Sequence, residues 1–210
     1  RPLADHTGPG PVHPRTVAGL DVAYAGNGQG GTEPVRVAAA VVVLDAVTLE
    51  PVETATAVGE TSFPYVPGLF AFRELPTLIE ALRRLPTVPD LLLCDGQGLA
   101  HPRRFGLACH LGVLTGLPTA GGAKTPLVGT YRDLGVRRGS WAPLLDGEET
   151  VGRALRTRDG VKPVFVSTGH RISLDTACAH VLATARDHRL PETTRLADRL
   201  SRDALAAAVD

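Results

Sequence analysis

Long apolar runs, a net charge of one sign and a cysteine framework are all missing from these 210 residues. Lysine plus arginine and aspartate plus glutamate number 22 each. The whole chain therefore carries no bulk charge, and any footprint of a polyanionic partner must be local. The three cysteines, Cys94, Cys109 and Cys178, lie inside apolar patterns and lack metal-type spacing. An odd, scattered set reads as packed, reduced thiols rather than a disulfide frame. No stretch reaches transmembrane length, and the first residues lack a signal-peptide layout. The expectation is a cytoplasmic protein with no membrane partner. What is present is ordinary for a globular domain: 43% hydrophobic and 21% charged residues, in a chain long enough to bury a full core.

Residues 1–16, rich in proline and glycine, read as an N-terminal arm, and residues 17–210 as one domain. From Val17 to Tyr24 the pattern alternates, with Ala18, Leu20, Val22 and Tyr24 sharing one face of a strand. Val35 to Leu44 is almost wholly apolar, as expected for a strand buried on both faces. Val52 to Phe63 completes an antiparallel meander. The period then changes. Leu75, Leu78, Ile79, Leu82 and Leu85 mark an amphipathic helix that tolerates Pro76 in its first turn. Strands are expected at 90–94, 118–123 and 163–167, and helices at about 102–115 and after the N-cap Ser173. Residues 126–160, with weak periodicity, read as a partly irregular insertion. This order indicates an α/β fold, a mixed sheet flanked by helices.

Titratable groups fall at the ends of several elements. The apolar run Leu91-Leu92-Leu93-Cys94 ends in Asp95, where ligands of open α/β sheets usually sit. Gly96 to Gly98 then turn the chain into a segment carrying His101, Arg103 and Arg104. A basic pair at a helix start opposes the helix dipole, and such breaks tend to mark function. Asp21 interrupts an apolar strand on the face opposite Leu20. Glu74 opens the amphipathic helix beside its apolar stripe, and His170 follows a strand as Asp95 does. Converging carboxylates provide hard oxygen ligands for Mg²⁺, with Mn²⁺ as a substitute. Lys124 adds a positive charge for a phosphate. The stiff turn Pro64-Tyr65-Val66-Pro67-Gly68-Leu69-Phe70 is suited to unstack a nucleic-acid strand. Gly68, Gly96, Gly98 and Gly106 permit close backbone approach to a base.

Together these segments resemble the endonuclease V family of inosine-directed repair nucleases. The resemblance is carried by Val17-Ala18-Gly19-Leu20-Asp21-Val22, by Pro64-Tyr65-Val66-Pro67-Gly68 with Phe72-Arg73-Glu74, and by the run from Asp95 to Arg104. Gly121-Gly122-Ala123-Lys124, the stretch Ser167 to Ser173, and Leu190-Pro191-Glu192-Thr193-Thr194-Arg195 extend it, in the family's order. It implies an RNase H-like fold in which Asp21, Glu74 and Asp95 surround the metal. His170 would complete the active site and Lys124 would face the scissile phosphate. Residues 64–67 would form a strand-separating wedge, with Gly68, Phe70 and Gly96 near the hypoxanthine pocket. Arg73, Gly98, His101, Arg103 and Arg104 would belong to the nucleic-acid-binding set. The implied reaction hydrolyses the second phosphodiester bond 3′ to inosine in DNA or RNA, leaving 3′-hydroxyl and 5′-phosphate ends. Apart from the resemblance, the expected form is a monomer.

Two positions depart from the family pattern. Gln97 stands where many bacterial members have His, and Thr125 where many have a second basic residue. Two rival readings remain: another RNase H-like repair incision nuclease, and a non-catalytic inosine-binding protein.

Overall fold

The computed structural model describes residues 3–26, 34–64, 66 and 68–209. Its elements run β1 (Thr16–Tyr24), β2 (Val35–Asp45), β3 (Pro51–Thr61), α1 (Ala71–Arg83), β4 (Leu91–Cys94), α2 (Leu107–Thr115) and β5 (Thr119–Ala123). They continue with β6 (Trp141–Asp146), β7 (Glu149–Leu155), β8 (Val164–His170), α3 (Leu174–Thr184) and α4 (Glu192–Val209). The strands form one sheet in the order β3-β2-β1-β4-β5-β8-β7-β6. β1, β4 and β5 run parallel to one another, and every other pairing is antiparallel. This is the expected mixed sheet flanked by helices.

The alternation in β1 sorts its side chains between two cores. Ala18, Leu20 and Val22 pack with Leu75 and Leu78 of α1 and Leu111 of α2. Val17 joins Leu91, Leu93 and the α3 residues Ala177 and Val181 on the other face. β2 is buried on both faces, with Val41 and Val43 toward α1 and Val42 and Leu44 toward α4. Its continuous apolar run follows from that double burial. Gly19 is required by a close approach, because a Cβ there would run into the backbone of Thr193 at the start of α4. Helix α4 thus lies directly across β1.

Three elements differ from expectation. Residues 126–160 hold a regular hairpin, β6–β7, at the sheet edge. Helix α4 was not anticipated. The second helix begins at Leu107 rather than near 102, so Arg103 and Arg104 lie in the preceding turn and not in a helical first turn. Ser173 does cap α3, its hydroxyl accepting from the Thr176 amide at 3.1 Å. The described arm residues 3–15 contain neither strand nor helix. No helix among the described residues is long and apolar enough to cross a membrane.

Candidate active site

Parallel pairing brings two acids to one end of the sheet. Leu20 of β1 is in register with Cys94 of β4, so the next residue of each strand, Asp21 and Asp95, emerge side by side. β5 runs parallel to β4 with Cys94 opposite Gly121, and Lys124 leaves its end. The Lys124 ammonium lies 2.7 Å from Asp95 Oδ2. Burial pulls the lysine pKa down, but the hydrogen bond to Asp95 and the charges of Asp95, Asp21 and Asp198 together outweigh it and hold the amine above its usual range. Glu74, buried on α1, closes the group. Its carboxylate accepts a 3.2 Å hydrogen bond from the Tyr24 hydroxyl.

The three acids share one electrostatic field. Burial, and then the charges of Asp95 and Asp198, push Asp21 up to about 6, although a Ser201 hydroxyl hydrogen bond opposes the rise. Burial and the charge of Asp21 hold Glu74 well above the ordinary carboxylate range. Like charges at close quarters disfavour joint ionisation, and a cation among them would remove that cost. The donor chemistry, all hard carboxylate oxygen, fits a divalent ion. Each acid is meanwhile held by its own partner: Asp95 by Lys124, Asp21 by Ser201 at 2.8 Å, and Glu74 by Tyr24. Among the described residues no three His, Cys, Asp or Glu side chains are already converged as a metal site.

Asp198 is the residue that sequence reasoning missed. It lies on α4 beside the buried positions Thr194, Ala197 and Ser201, and its charge reaches both Asp21 and Lys124. The spacing 194, 197, 201 is helical. Its small polar members hide it from a search for apolar stripes.

Two cavities meet at Asp95 and Lys124. The first, of about 470 Å³, is mostly apolar; Val66, Gly68, Phe70, Gly96, His101 and Leu107 are among its walls. Phe105 and His110, also missed, line it and pack edge to face at 4.5 Å between ring centres. The second, of about 630 Å³, is polar, with Arg189, Arg195, Arg199, Arg202 and Asp198 around it.

The remaining expected residues divide. Arg103 lines the apolar cavity and donates to the Gly68 carbonyl at 3.2 Å. Gly68 needs its glycine, having φ +78°. Gln97 and Thr125, the two departures, both line this cavity, and the Gln97 amide donates to the Thr125 carbonyl at 2.9 Å. Pro64 is exposed, while Tyr65 and Pro67 lie outside the described residues.

Four residues are held away from the cluster or serve the packing. Arg104 points away, donating at 2.7 Å to both Asp146 and Glu149 beside the β6–β7 turn, so its charge is already matched. Arg73 is only 2% exposed; it donates to the Phe63 carbonyl at 3.1 Å and lies over the Tyr24 ring. It therefore braces the chain at Phe63 from inside and lines neither cavity. Gly98 is needed for packing, since a Cβ there would strike the Thr168 carbonyl. His170 is not brought to the cluster. β8 is antiparallel to β5 and pairs His170 with Thr119, the first residue of β5. Lys124 leaves the other end, about 16 Å away at the usual rise per strand residue. His170 Nδ1 instead accepts from the Asp5 amide at 3.0 Å.

A family model for endonuclease V matches residues 4–199. An endonuclease V of Streptomyces avermitilis is 61% identical over 208 residues, covering 99% of this chain and 88% of that protein. The chain belongs to the endonuclease V family. It is accordingly a nuclease, a hydrolase. A crystal structure of the Streptomyces avermitilis endonuclease V superposes with a TM-score of 0.92 at 59% identity, covering 99% of this chain and 89% of that one. The endonuclease V of Ciona intestinalis, solved with a 24-mer DNA containing an inosine followed by a ribo-adenosine, gives 0.77 at 28% identity, covering 93% and 87%. An Argonaute of Clostridium butyricum shares the RNase H-like fold alone, with a TM-score of 0.51 at 13% identity over 96% of this chain and 28% of that one.

Proposed function

We propose that this endonuclease V family member recognises inosine in nucleic acid and hydrolyses the second phosphodiester bond on its 3′ side, in DNA repair. The observation that carries the reading is the meeting of an apolar cavity and an arginine-rich one at Asp95 and Lys124. A flipped hypoxanthine suits the first, whose aromatic walls and open glycines accept a flat base. The strand leaving that base would run into the second, where guanidinium groups match phosphates. The scissile phosphate then lies at the junction.

In hydrolysis a water oxygen forms the new bond to phosphorus, the P–O3′ bond breaks, and the departing oxygen takes up a proton. Lys124 would face the non-bridging oxygens and offset their growing charge. Asp21, Glu74 and Asp95, with Asp198 as a fourth acid, would hold a divalent cation, with Mg²⁺ favoured by an all-oxygen donor set and Mn²⁺ as its substitute. When bound, that ion supplies a more acidic water and neutralises charge on the leaving oxygen. Ser201 and Tyr24 orient Asp21 and Glu74 for this role.

Three buried free thiols suit the reducing cytoplasm. The test is a nicking assay on matched inosine DNA and inosine RNA with Mg²⁺ or Mn²⁺. A nick at the second bond 3′ to inosine is the expected result. Folded protein that leaves every inosine strand intact would refute the reading.

A further inference from the structure

The edge hairpin contributes nothing to either cavity, yet it displays an organised aromatic site. Trp141, the one tryptophan of the chain, is 50% exposed at the start of edge strand β6. One face of its ring is covered by the Arg153 guanidinium, 3.8 Å from the ring centre. Arg153 is itself fixed by Asp175 Oδ1 at 2.5 Å. The indole is therefore held flat by a cation that an acid on α3 orients, and such a ring needs no further ordering before a second π surface stacks on it. Beside it lies a cavity of about 320 Å³ whose walls include Tyr131, Arg132, Pro143 and Leu145. Tyr131 is 37% exposed and braced on Phe165 at 5.6 Å between ring centres.

The position of this patch connects it to the cleft. Trp141 pairs with Leu155 of β7, and Leu155 with Val164 of β8. Phe165 pairs with Ala123 of β5, so Val164 falls in the row of Lys124. Trp141 and Lys124 thus lie in one row, three strands apart, about 14 Å at the usual strand spacing. The segment from Thr125 to Leu127 lines the apolar cavity, and the same segment leads on to Tyr131. The charge also suits a polyanion. Around this end of the hairpin, residues 130–160 place five arginines besides Arg153 (132, 137, 138, 156 and 158) against Asp133 and Asp159, and Arg138, Arg156 and Arg158 keep their charge while donating to backbone carbonyls. The acids Asp146, Glu148 and Glu149 lie at the opposite, turn end.

Resting on the nuclease reading above, we infer that Trp141, Arg153 and Tyr131 form a stacking platform for an unpaired nucleotide of the substrate strand, a few nucleotides from the inosine. Aromatic rings flanked by arginine bind single-stranded nucleic acid in this way, with little regard to base identity. A partner protein adding a strand to the β6 edge fits less well, since Pro143 removes a backbone donor from the middle of that edge.

The single tryptophan makes the test direct. Inosine strands are prepared with two or eight unpaired nucleotides on either flank, and an uncleavable set carries phosphorothioates around the scissile bond. With the eight-nucleotide flank on one side, the wild-type fluorescence is quenched, and duplexing that flank removes the quenching. In cleavage, lengthening the same flank lowers KM for the wild type, with little change in kcat. Trp141→Ala loses that length advantage by about tenfold, the scale expected for one stacked base, and Trp141→Phe recovers most of it. Absence of quenching with every flank, or equal length advantages in wild type and Trp141→Ala, would overturn the platform. If short-flank strands are still cut, the nuclease reading survives that failure. If no inosine strand is cut yet the flank still quenches, the nuclease reading fails and the platform stands.

Discussion

The two ends of the central sheet carry similar-looking residues and different chemistry. At one end Asp95 and Lys124 leave the parallel strands β4 and β5, and Asp21, still within β1, stands beside them. At the other, His170 ends β8 among the residues of the N-terminal arm. There His170 Nδ1 accepts from the Asp5 amide, His6 hydrogen-bonds Thr168, and the Asp5 carbonyl accepts from the Arg171 amide. Locally, Cys94-Asp95 and Gly169-His170 read alike, each a titratable group closing an apolar strand. Strand direction separates them. Parallel strands deliver their C-terminal residues to one edge, and an antiparallel neighbour delivers its own to the opposite edge.

The largest effect that would sharpen this contrast is on catalysis. Asp95→Ala should lower the cleavage rate of an inosine strand at least about a thousandfold, as removal of a metal ligand does, while His170→Gln stays within about threefold. Comparable losses in both variants would erase the distinction between the ends. Lys124→Ala comes next, with a fall in kcat of about a hundredfold, the scale of losing one charge-stabilising donor. A change confined to KM would show that Lys124 only binds substrate.

Stability responds with opposite signs at the two ends. Asp21 has its pKa raised to about 6 by burial and neighbouring acids, so the folded state binds the proton more tightly than the unfolded one. Its ionisation therefore erodes stability as pH rises from the unfolded value through about 6. Asp21→Asn in metal-free buffer should raise Tm by a few degrees at pH 7.5 and give much less at pH 4. An equal gain at both pH values would show that charge is not the cause. His170 behaves in reverse. Burial, then the Arg171 charge, lower its pKa, and its Nδ1 must stay unprotonated to accept from Asp5. Its contribution is present above the ordinary histidine range and is lost as pH falls through the depressed value. The smallest effect is thus local: a lower protection factor against hydrogen exchange at the Asp5 amide as pH falls below the ordinary histidine range, absent in His170→Gln, which has no ring to protonate.

The same contrast explains what could be read in the sequence. The meander was legible because β1 alternates strictly and β2 is apolar on both faces, and α1 because Leu75, Leu78 and Leu82 keep a helical spacing. Asp95 was legible as the residue closing an apolar strand, Glu74 as the start of a helix, Asp21 as the charge interrupting a strand, and Lys124 as a cation after one. The direction of β8 was not, because it depends on the β6–β7 hairpin between β5 and β8. That hairpin was obscured by Trp141 and Leu145 facing outward, where alternation calls for polar residues, and by Pro143 and Gly152. Helix α4 was obscured because it packs through Thr193, Thr194 and Ser201, all buried, and Asp198 was lost with it. Arg103 and Arg104 read together as part of a nucleic-acid-binding set, but only tertiary contacts reveal that Arg104 is already matched by two acids.

The central claim, that the carboxylates carried within β1 and just past the end of β4 hold a divalent cation, is tested most directly by titrating Mn²⁺ into the protein and counting the bound ion by electron paramagnetic resonance. The account predicts tight binding in the wild type and in His170→Gln, and its loss in the double variant Asp21→Asn, Asp95→Asn. Retained binding in the double variant, or its loss in His170→Gln alone, would contradict it.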